Sequence, residues 1–392
     1  MMQAARYNKD FYGDAFIQDP MAHYAEMRAL GPVVWLTKQN TFAATTFDAV
    51  INVLRRADVF ISGKGLSLND DVNSILIGNS LNSDGAAHHK SRSVTAPPIM
   101  PKNIEPLREY IVSLSNELAE RLSKQAQFDA VTEFAQVLPL SVVIDLVGLH
   151  ESGRDKMLPW AAAAFNLFDG FNTRSKAAFD TLVELRAFLD DYGTRDAVKE
   201  GGLARRIFDV APDKGYSETE AAQLMRDYIN PSLDTTISAA GFAAYYFAKF
   251  PDQWDRLRAD PELIPNAIEE VVRMATPIRA FSRYVAQDTE LEGVALRGGD
   301  RIIAIYASAN RDPAQWDDPD QFDVARQVRK HVGFGHGVHT CMGLHLARLE
   351  LTSLISAMLP RVRAWHFNGI PEISMNNTIR AFAKLPIQVD AT

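Results

Sequence analysis

The chain has 392 residues, 47% of them hydrophobic, 9% aromatic and 23% charged, a balance that suits a folded chain with a sizeable core and excludes a disordered one. Its 41 Lys and Arg stand against 49 Asp and Glu, a formal charge of −8, which argues against nucleic-acid binding through overall charge, because phosphates are met largely by Lys and Arg. One cysteine, Cys341, excludes an internal disulfide, an iron–sulfur or zinc site built on four cysteines, and haem attached through C-x-x-C-H.

The first twenty residues hold no apolar run long enough for a signal peptide, and about 18 uncharged apolar residues nowhere run together, so a cytoplasmic chain without a membrane anchor is expected. VVWLTKQNTFAATT alternates well enough for two short strands around Lys38-Gln39-Asn40. The stretch 62–80 has turn residues but no sustained period and reads as a loop. Helical periodicity covers about 104–126, 129–148, 174–199, 218–249, 265–275 and 343–359. TELEGVALRGGDRIIAIY predicts a further hairpin with Gly298-Gly299-Asp300 at its turn. Without repeats or a linker, the expectation is one continuous domain over 1–392, mainly α with small β-sheets.

Inside the apolar pattern of 218–249 lies Pro231. Either Asn230 caps a new helix with Pro231 at its first position, or one helix starting at the capping box Ser217-x-x-Glu220 is bent where Pro231 lacks an N–H. Both readings interrupt the hydrogen-bond ladder at the same place.

In HVGFGHGVHTCMGLHLARLE, Cys341 follows a glycine-spaced loop and precedes the helical pattern Leu344, Leu346, Ala347, Leu349. The sulfur is therefore expected at a helix N-terminus, where free N–H groups and the helix dipole favour the thiolate a metal ligand requires. His336, His339 and His345 lie near enough in sequence to complete a zinc tetrahedron, and spacing alone does not exclude one. Gly335, Gly337 and Gly343, interspersed with these residues, suit the close approach of a broad, planar partner.

Phe334-Gly335-x-Gly337-x-His339-x-Cys341-x-Gly343 resembles, without a mismatch, the haem-binding signature of the cytochrome P450 family. The resemblance extends along the chain. Glu270 and Arg273 match the family's E-x-x-R, with Arg326 as its third partner, a structural set that ties this helix to the meander before the cysteine loop. Asp234, Thr235 and Thr236 match the oxygen-binding stretch A/G-G-x-D/E-T-T, although Pro231 and Ser232 stand in place of its small Ala/Gly pair.

The resemblance implies the cytochrome P450 fold and a haem-thiolate monooxygenase carrying haem b, with Cys341 as axial ligand in a cradle including Phe334, Gly335 and Gly343. It places His88 (or its neighbour His89), Arg92, Arg283 and His339 as donors to the haem propionates, and Asp234 and Thr235 as the catalytic pair delivering protons to dioxygen. It puts the loop 62–80, Phe165, Phe168, Ile278, Phe281 and Phe382 around the substrate. Electrons are expected from a separate ferredoxin or flavodoxin with an NAD(P)H-dependent reductase, docking on a basic patch of Lys90, Arg108, Arg329, Lys330 and Arg348. FISGKGLSLND and TPIRAFSR are most similar to members that O-demethylate small methoxylated aromatics; terpene or fatty-acid hydroxylation is the rival substrate class. A peroxide-driven enzyme and a haem-based sensor are the readings from other classes.

Overall fold

The structure is a computed structural model that describes residues 3–168 and 172–392. Strands β1 (Ala5–Tyr7), β2 (Val33–Leu36), β3 (Thr41–Ala44) and β4 (Phe60–Ile61) open the chain. β2 and β3 form the expected antiparallel pair, and the turn between them closes through Asn40 in the left-handed region (φ 50°).

The stretch expected as a loop, 62–80, contains a helix, α1 (Asp70–Leu76), whose first N–H groups are capped by Asn69 Oδ1. The Asn69 cap, followed by two acidic residues in the first turn, is the local signal for it. Next come α2 (Gly85–Thr95) and α3 (Arg108–Gln125). The predicted helix 129–148 divides into β5 (Gln127–Asp129), a π-helical turn (Ala130–Ala135) and α4 (Val137–Val147). By length and composition, Ala130–Val147 is apolar enough to cross a membrane, with mean hydropathy 1.6; half of it is buried inside the fold, and Glu133 and Asp145 interrupt it. Helices α5 (Met157–Asn166) and α6 (Thr173–Tyr192) follow, and α6 stops at Gly193, seven residues short of the predicted end.

Neither sequence reading of Pro231 describes the break that is present. The ladder runs through α7 (Glu218–Leu224), which opens on the capping box of Ser217 and Glu220, and α8 (Arg226–Ile229), then resumes only at α9 (Asp234–Lys249). Asn230 keeps helical angles and does not cap; Leu233 precedes the new helix. Pro231 offers no N–H to the preceding turn, and two hydroxyls take up released carbonyls: Ser232 Oγ donates to Tyr228 O, and Thr235 Oγ1 donates to Pro231 O at 2.9 Å.

Helix α10 (Ile264–Ala275) precedes β6 (Phe281–Val285), β7 (Thr289–Leu291), β8 (Val294–Leu296) and β9 (Arg301–Ala304). The predicted hairpin turn at Gly298-Gly299-Asp300 is displaced. β7 pairs with β8 across Glu292 and Gly293, both at positive φ as a tight two-residue turn requires, whereas β9 joins the large sheet. That sheet has the order β1-β2-β3-β9-β6-β4.

Helix α11 (Leu344–Met358) leads into β10 (Val362–Phe367), β11 (Glu372–Ile373), β12 (Phe382–Lys384) and β13 (Pro386–Ala391); β10, β13 and β5 form a three-stranded sheet. The architecture is mainly α with small sheets, as expected. Its largest apolar cluster packs α9 against α10, α11 and the β10 sheet through Phe242, Phe247, Trp254 and Trp365. Small residues along α9, Ala239, Ala240, Gly241, Ala243 and Ala244, are all buried and let its neighbours come close.

Candidate active site

Glu270 and Arg273 are one helical turn apart on α10, a spacing that on most helices gives a solvated pair. Here both side chains are 0% exposed. Arg273 donates through Nε and NH2 to the two Glu270 oxygens at 2.7 and 2.8 Å, and Arg326 Nε adds a third bond to Glu270 Oε1 at 3.0 Å. Arg273 also binds the carbonyls of Asn310 and Pro319 at 2.7 and 2.9 Å. A buried carboxylate needs this much compensation, and the result pins α10 to the segment that leads into the cysteine loop.

That loop is closed by its own backbone. Cys341 N donates to Phe334 O at 2.9 Å, Gly335 N to Val332 O at 2.9 Å and Thr340 N to Gly337 O at 3.1 Å. Gly335 and Gly337 both sit at φ 72°, and a Cβ on Gly337 would stand 2.8 Å from the Leu54 carbonyl oxygen. Cys341 lies just ahead of α11, and the N–H groups of Gly343 and Leu344 point at its sulfur. Enclosure by protein pushes the thiol up; these two donors and the Arg92 and Arg348 guanidiniums pull it down toward the thiolate. The accessible surface of Cys341 belongs to the walls of a cavity and of a recess behind it.

The cavity brings together Cys341, Phe334, Gly335 and Gly343 with Arg92, Arg283 and His339. Arg283 is 3% exposed and bonds through NH1 to Ser282 O at 2.8 Å. His339 Nε2 is buried without a hydrogen-bond partner among the described residues, and Asp84 Oδ1 approaches it only to 3.9 Å. Arg92 binds the Thr340 carbonyl and donates through Nε to His88 Nε2 at 3.3 Å. His88 is buried, 4.4 Å from the His339 ring, and opens on the recess behind Cys341; burial, with the neighbouring His339 and Arg92, pushes it down to about 4, so its ring is neutral at pH 7. His89 is exposed and borders that recess only. Two arginines and an unsatisfied histidine facing one cavity fit a planar group that carries carboxylates at its edge.

On the cavity's other walls lie Thr235 and Thr236 from the start of α9, together with Phe165, Phe168, Ile278 and Phe281. The three phenylalanines interlock edge to face, with centroids 6.2 Å apart for Phe165–Phe168 and 5.3 Å for Phe168–Phe281. From 62–80 only Leu76, Asn79 and Ser80 reach the cavity. Phe382 does not line it: its ring packs 4.5 Å from Phe242 and 5.1 Å from Tyr245 in the core, because β12 pairs with β11 and turns that face onto α9. Asp234, expected beside Thr235 at the site, is not among the residues that line the cavity, and burial pushes its carboxyl up to about 7.

Sequence reasoning missed several polar residues on these walls, Asn82, Arg226, Asp227 and Glu350 among them. Glu350 lies nine positions after Cys341, its Oε1 buried without a partner among the described residues, and burial pushes it up to about 8. Its place one turn beyond Leu346 and Ala347 on α11 was the available signal. Arg226 and Asp227, from α8, are both buried; burial raises Asp227, while hydrogen bonds from Ser80 oppose that shift.

His336, expected as a possible zinc ligand, instead accepts a bond from Arg55 Nε at 3.2 Å. Among the described residues no group of three or more His, Cys, Asp or Glu side chains is arranged to hold a metal ion.

A cysteine at a helix N-terminus, a glycine-spaced loop beneath it and cations facing one cavity define a haem-thiolate site on a mainly α fold. The family model for cytochrome P450 matches residues 163–389. The chain is 34% identical to cytochrome P450 CYP199A2 of Rhodopseudomonas palustris over 381 residues, 95% of this chain and 92% of that one. It is 28% identical to 6-deoxyerythronolide B hydroxylase of Saccharopolyspora erythraea over 91% of each. The structure of P450BioI bound to an acyl carrier protein ligated with hexadec-9Z-enoic acid superposes with a TM-score of 0.86 at 22% identity, covering 96% of this chain and all of that one.

The chain belongs to the cytochrome P450 family. It is a monooxygenase whose cofactor is haem b, with its one cysteine, Cys341, supplying the axial thiolate. Bound there, the haem activates dioxygen with electrons from redox partner proteins.

Proposed function

We propose that this enzyme acts on a small methoxylated aromatic, hydroxylating the methyl group so that formaldehyde leaves. The observation that carries this reading is the interlocked wall of Phe165, Phe168 and Phe281, with Tyr306 edge-on to Phe281 at 6.1 Å. A flat ring gains offset or edge-to-face contacts on such a wall, each worth about 0.5–1.5 kcal/mol.

In this reading Arg92, Arg283 and His339, with His88 behind Arg92, take the haem propionates. Thr235 would hold a water at the cavity wall, and Asp234, poised near neutrality, would relay protons to that water from solvent. The chain works as one haem-binding unit in the cytoplasm, served by a ferredoxin or flavodoxin and its NAD(P)H-dependent reductase.

The docking patch is narrower than the sequence suggests. Arg348 is tied to Glu269 at 2.7 and 2.9 Å, Arg108 to Glu105 at 2.6 Å, and Lys90 lies over the Tyr216 ring at 3.9 Å. Arg329 and Lys330 are exposed just before the cysteine loop and carry the charge.

The test is turnover of anisole-type ethers with a ferredoxin system, measuring formaldehyde. Stoichiometric formaldehyde supports the reading. Hydroxylation of terpenes or fatty acids in its place, or equal turnover with peroxide alone, overturns it.

A further inference from the structure

Asp227 is buried and lines the cavity without an ion-pair partner within 4 Å among the described residues, the Arg226 and Arg92 guanidiniums acting on it from farther away. Its two oxygens accept from Ser80 N at 3.1 and 3.2 Å. That contact joins the link between α1 and α2 to α8, so residues 79–82 and 226–230 form one polar stretch of wall.

Asn82, only 5% exposed, belongs to this stretch. Asn79 Oδ1 accepts from Asn82 N at 3.1 Å and from Asn82 Nδ2 at 2.9 Å, which fixes the Asn82 amide with its oxygen outside that bond. Among the described residues Asn82 Oδ1 has no partner, and neither does Asn230 Oδ1 in the break after α8.

Both of the cations that act on Asp227 are committed: Arg92 bonds to His88 and to the Thr340 carbonyl. Arg226 donates through Nε, NH1 and NH2 to the carbonyls of Gln223, Leu76 and Ile77. The stretch therefore presents acceptors without a free positive charge. A substrate carboxylate placed there loses its hydration and faces the Asn82 and Asn230 amide oxygens, whereas a neutral donor satisfies oxygens that otherwise go unpaired.

We infer that Asp227, Asn82 and Asn230 form a specificity subsite for a neutral hydrogen-bond donor on the substrate, a phenolic or alcoholic O–H or an amide N–H, and that the subsite rejects a carboxylate. The inference deepens the aromatic-ether reading by naming the second group on the ring, which is then a methoxyphenol and not a methoxybenzoate.

The test titrates the oxidised holoenzyme with matched isomers of methoxyphenol and methoxybenzoate and reads the low-to-high-spin shift of the haem band, which reports binding without turnover. Phenols should bind about tenfold or more tightly than the benzoates, the scale at which an unpaired buried polar group discriminates. Asn82→Leu and Asn230→Leu should each weaken the phenols about tenfold and leave the benzoates unchanged. Benzoates binding as tightly as phenols in the unaltered enzyme overturn the inference, as does a gap that neither variant changes while its carbon monoxide spectrum stays normal. Should no aromatic ether bind, the aromatic reading falls, and a matched aliphatic alcohol and acid decide the subsite: preference for the alcohol upholds it, preference for the acid removes it.

Discussion

Glu350 holds a carboxyl with a buried, unpartnered oxygen, pushed up to about 8 from an ordinary 4.5. The folded enzyme thus keeps a proton that the unfolded chain releases above about pH 4.5. Folding stability from this residue is undiminished below that pH and falls by about 1.4 kcal/mol per unit as pH rises toward 8. Glu350→Gln keeps the shape and removes the titration. Its melting temperature relative to the unaltered enzyme should climb between pH 5 and pH 8, and a difference constant across that range refutes a neutral Glu350. Thr235 gives a second prediction. Thr235→Ala should retain the haem and its carbon monoxide band while product per NAD(P)H drops several-fold and peroxide rises, measured together in one coupling assay. The motif around Thr235 was legible in the sequence because its residue types are distinctive. Glu350 was not singled out, because a glutamate on a helix is ordinarily solvated and only the packing of α11 against its neighbours encloses this one.

Among the elements, the cysteine loop depends on two glycines that look alike in sequence. Both sit at φ 72°, so alanine is strained at either position, but the added Cβ meets Leu54 O at 2.8 Å for Gly337 and His339 O at 3.4 Å for Gly335. Gly337→Ala should therefore cost more, about 2–4 kcal/mol against about 1–2 kcal/mol for Gly335→Ala, on the usual scale for strained backbone and overpacking. Thermal unfolding and the fraction of haem converted to a form without thiolate ligation should rank the two in that order, and equal losses refute the role of Leu54. The partner that separates them lies 283 positions away in sequence, which explains why the pattern announces the loop but not its tightest contact. The break at Pro231 is similar. Its position followed from proline's missing N–H, whereas the four-residue gap before α9 depends on Ser232 and Thr235 taking up the released carbonyls.

At the scale of the whole molecule, the net charge of −8 leaves an acidic redox protein only a local patch to approach. With Arg348, Arg108 and Lys90 already engaged, the double variant Arg329→Glu, Lys330→Glu should slow reduction by a ferredoxin about tenfold at low salt, while Arg108→Glu has little effect. Stopped-flow reduction at rising ionic strength checks this, and equal slowing by both substitutions refutes it. Periodicity, capping residues and one uninterrupted signature determined the helical architecture, the ligand cysteine and the position of the helix break, since each rests on residue types a few positions apart. Only the tertiary structure decided which side chains face the cavity. Phe382 turned out to be core, because strand pairing at β12 directs its ring onto α9. Asp227 and Asn82 turned out to be wall, because the Ser80 contact joins segments 147 residues apart. Burial and pairing of polar groups depend on such distant contacts, and no local pattern records them.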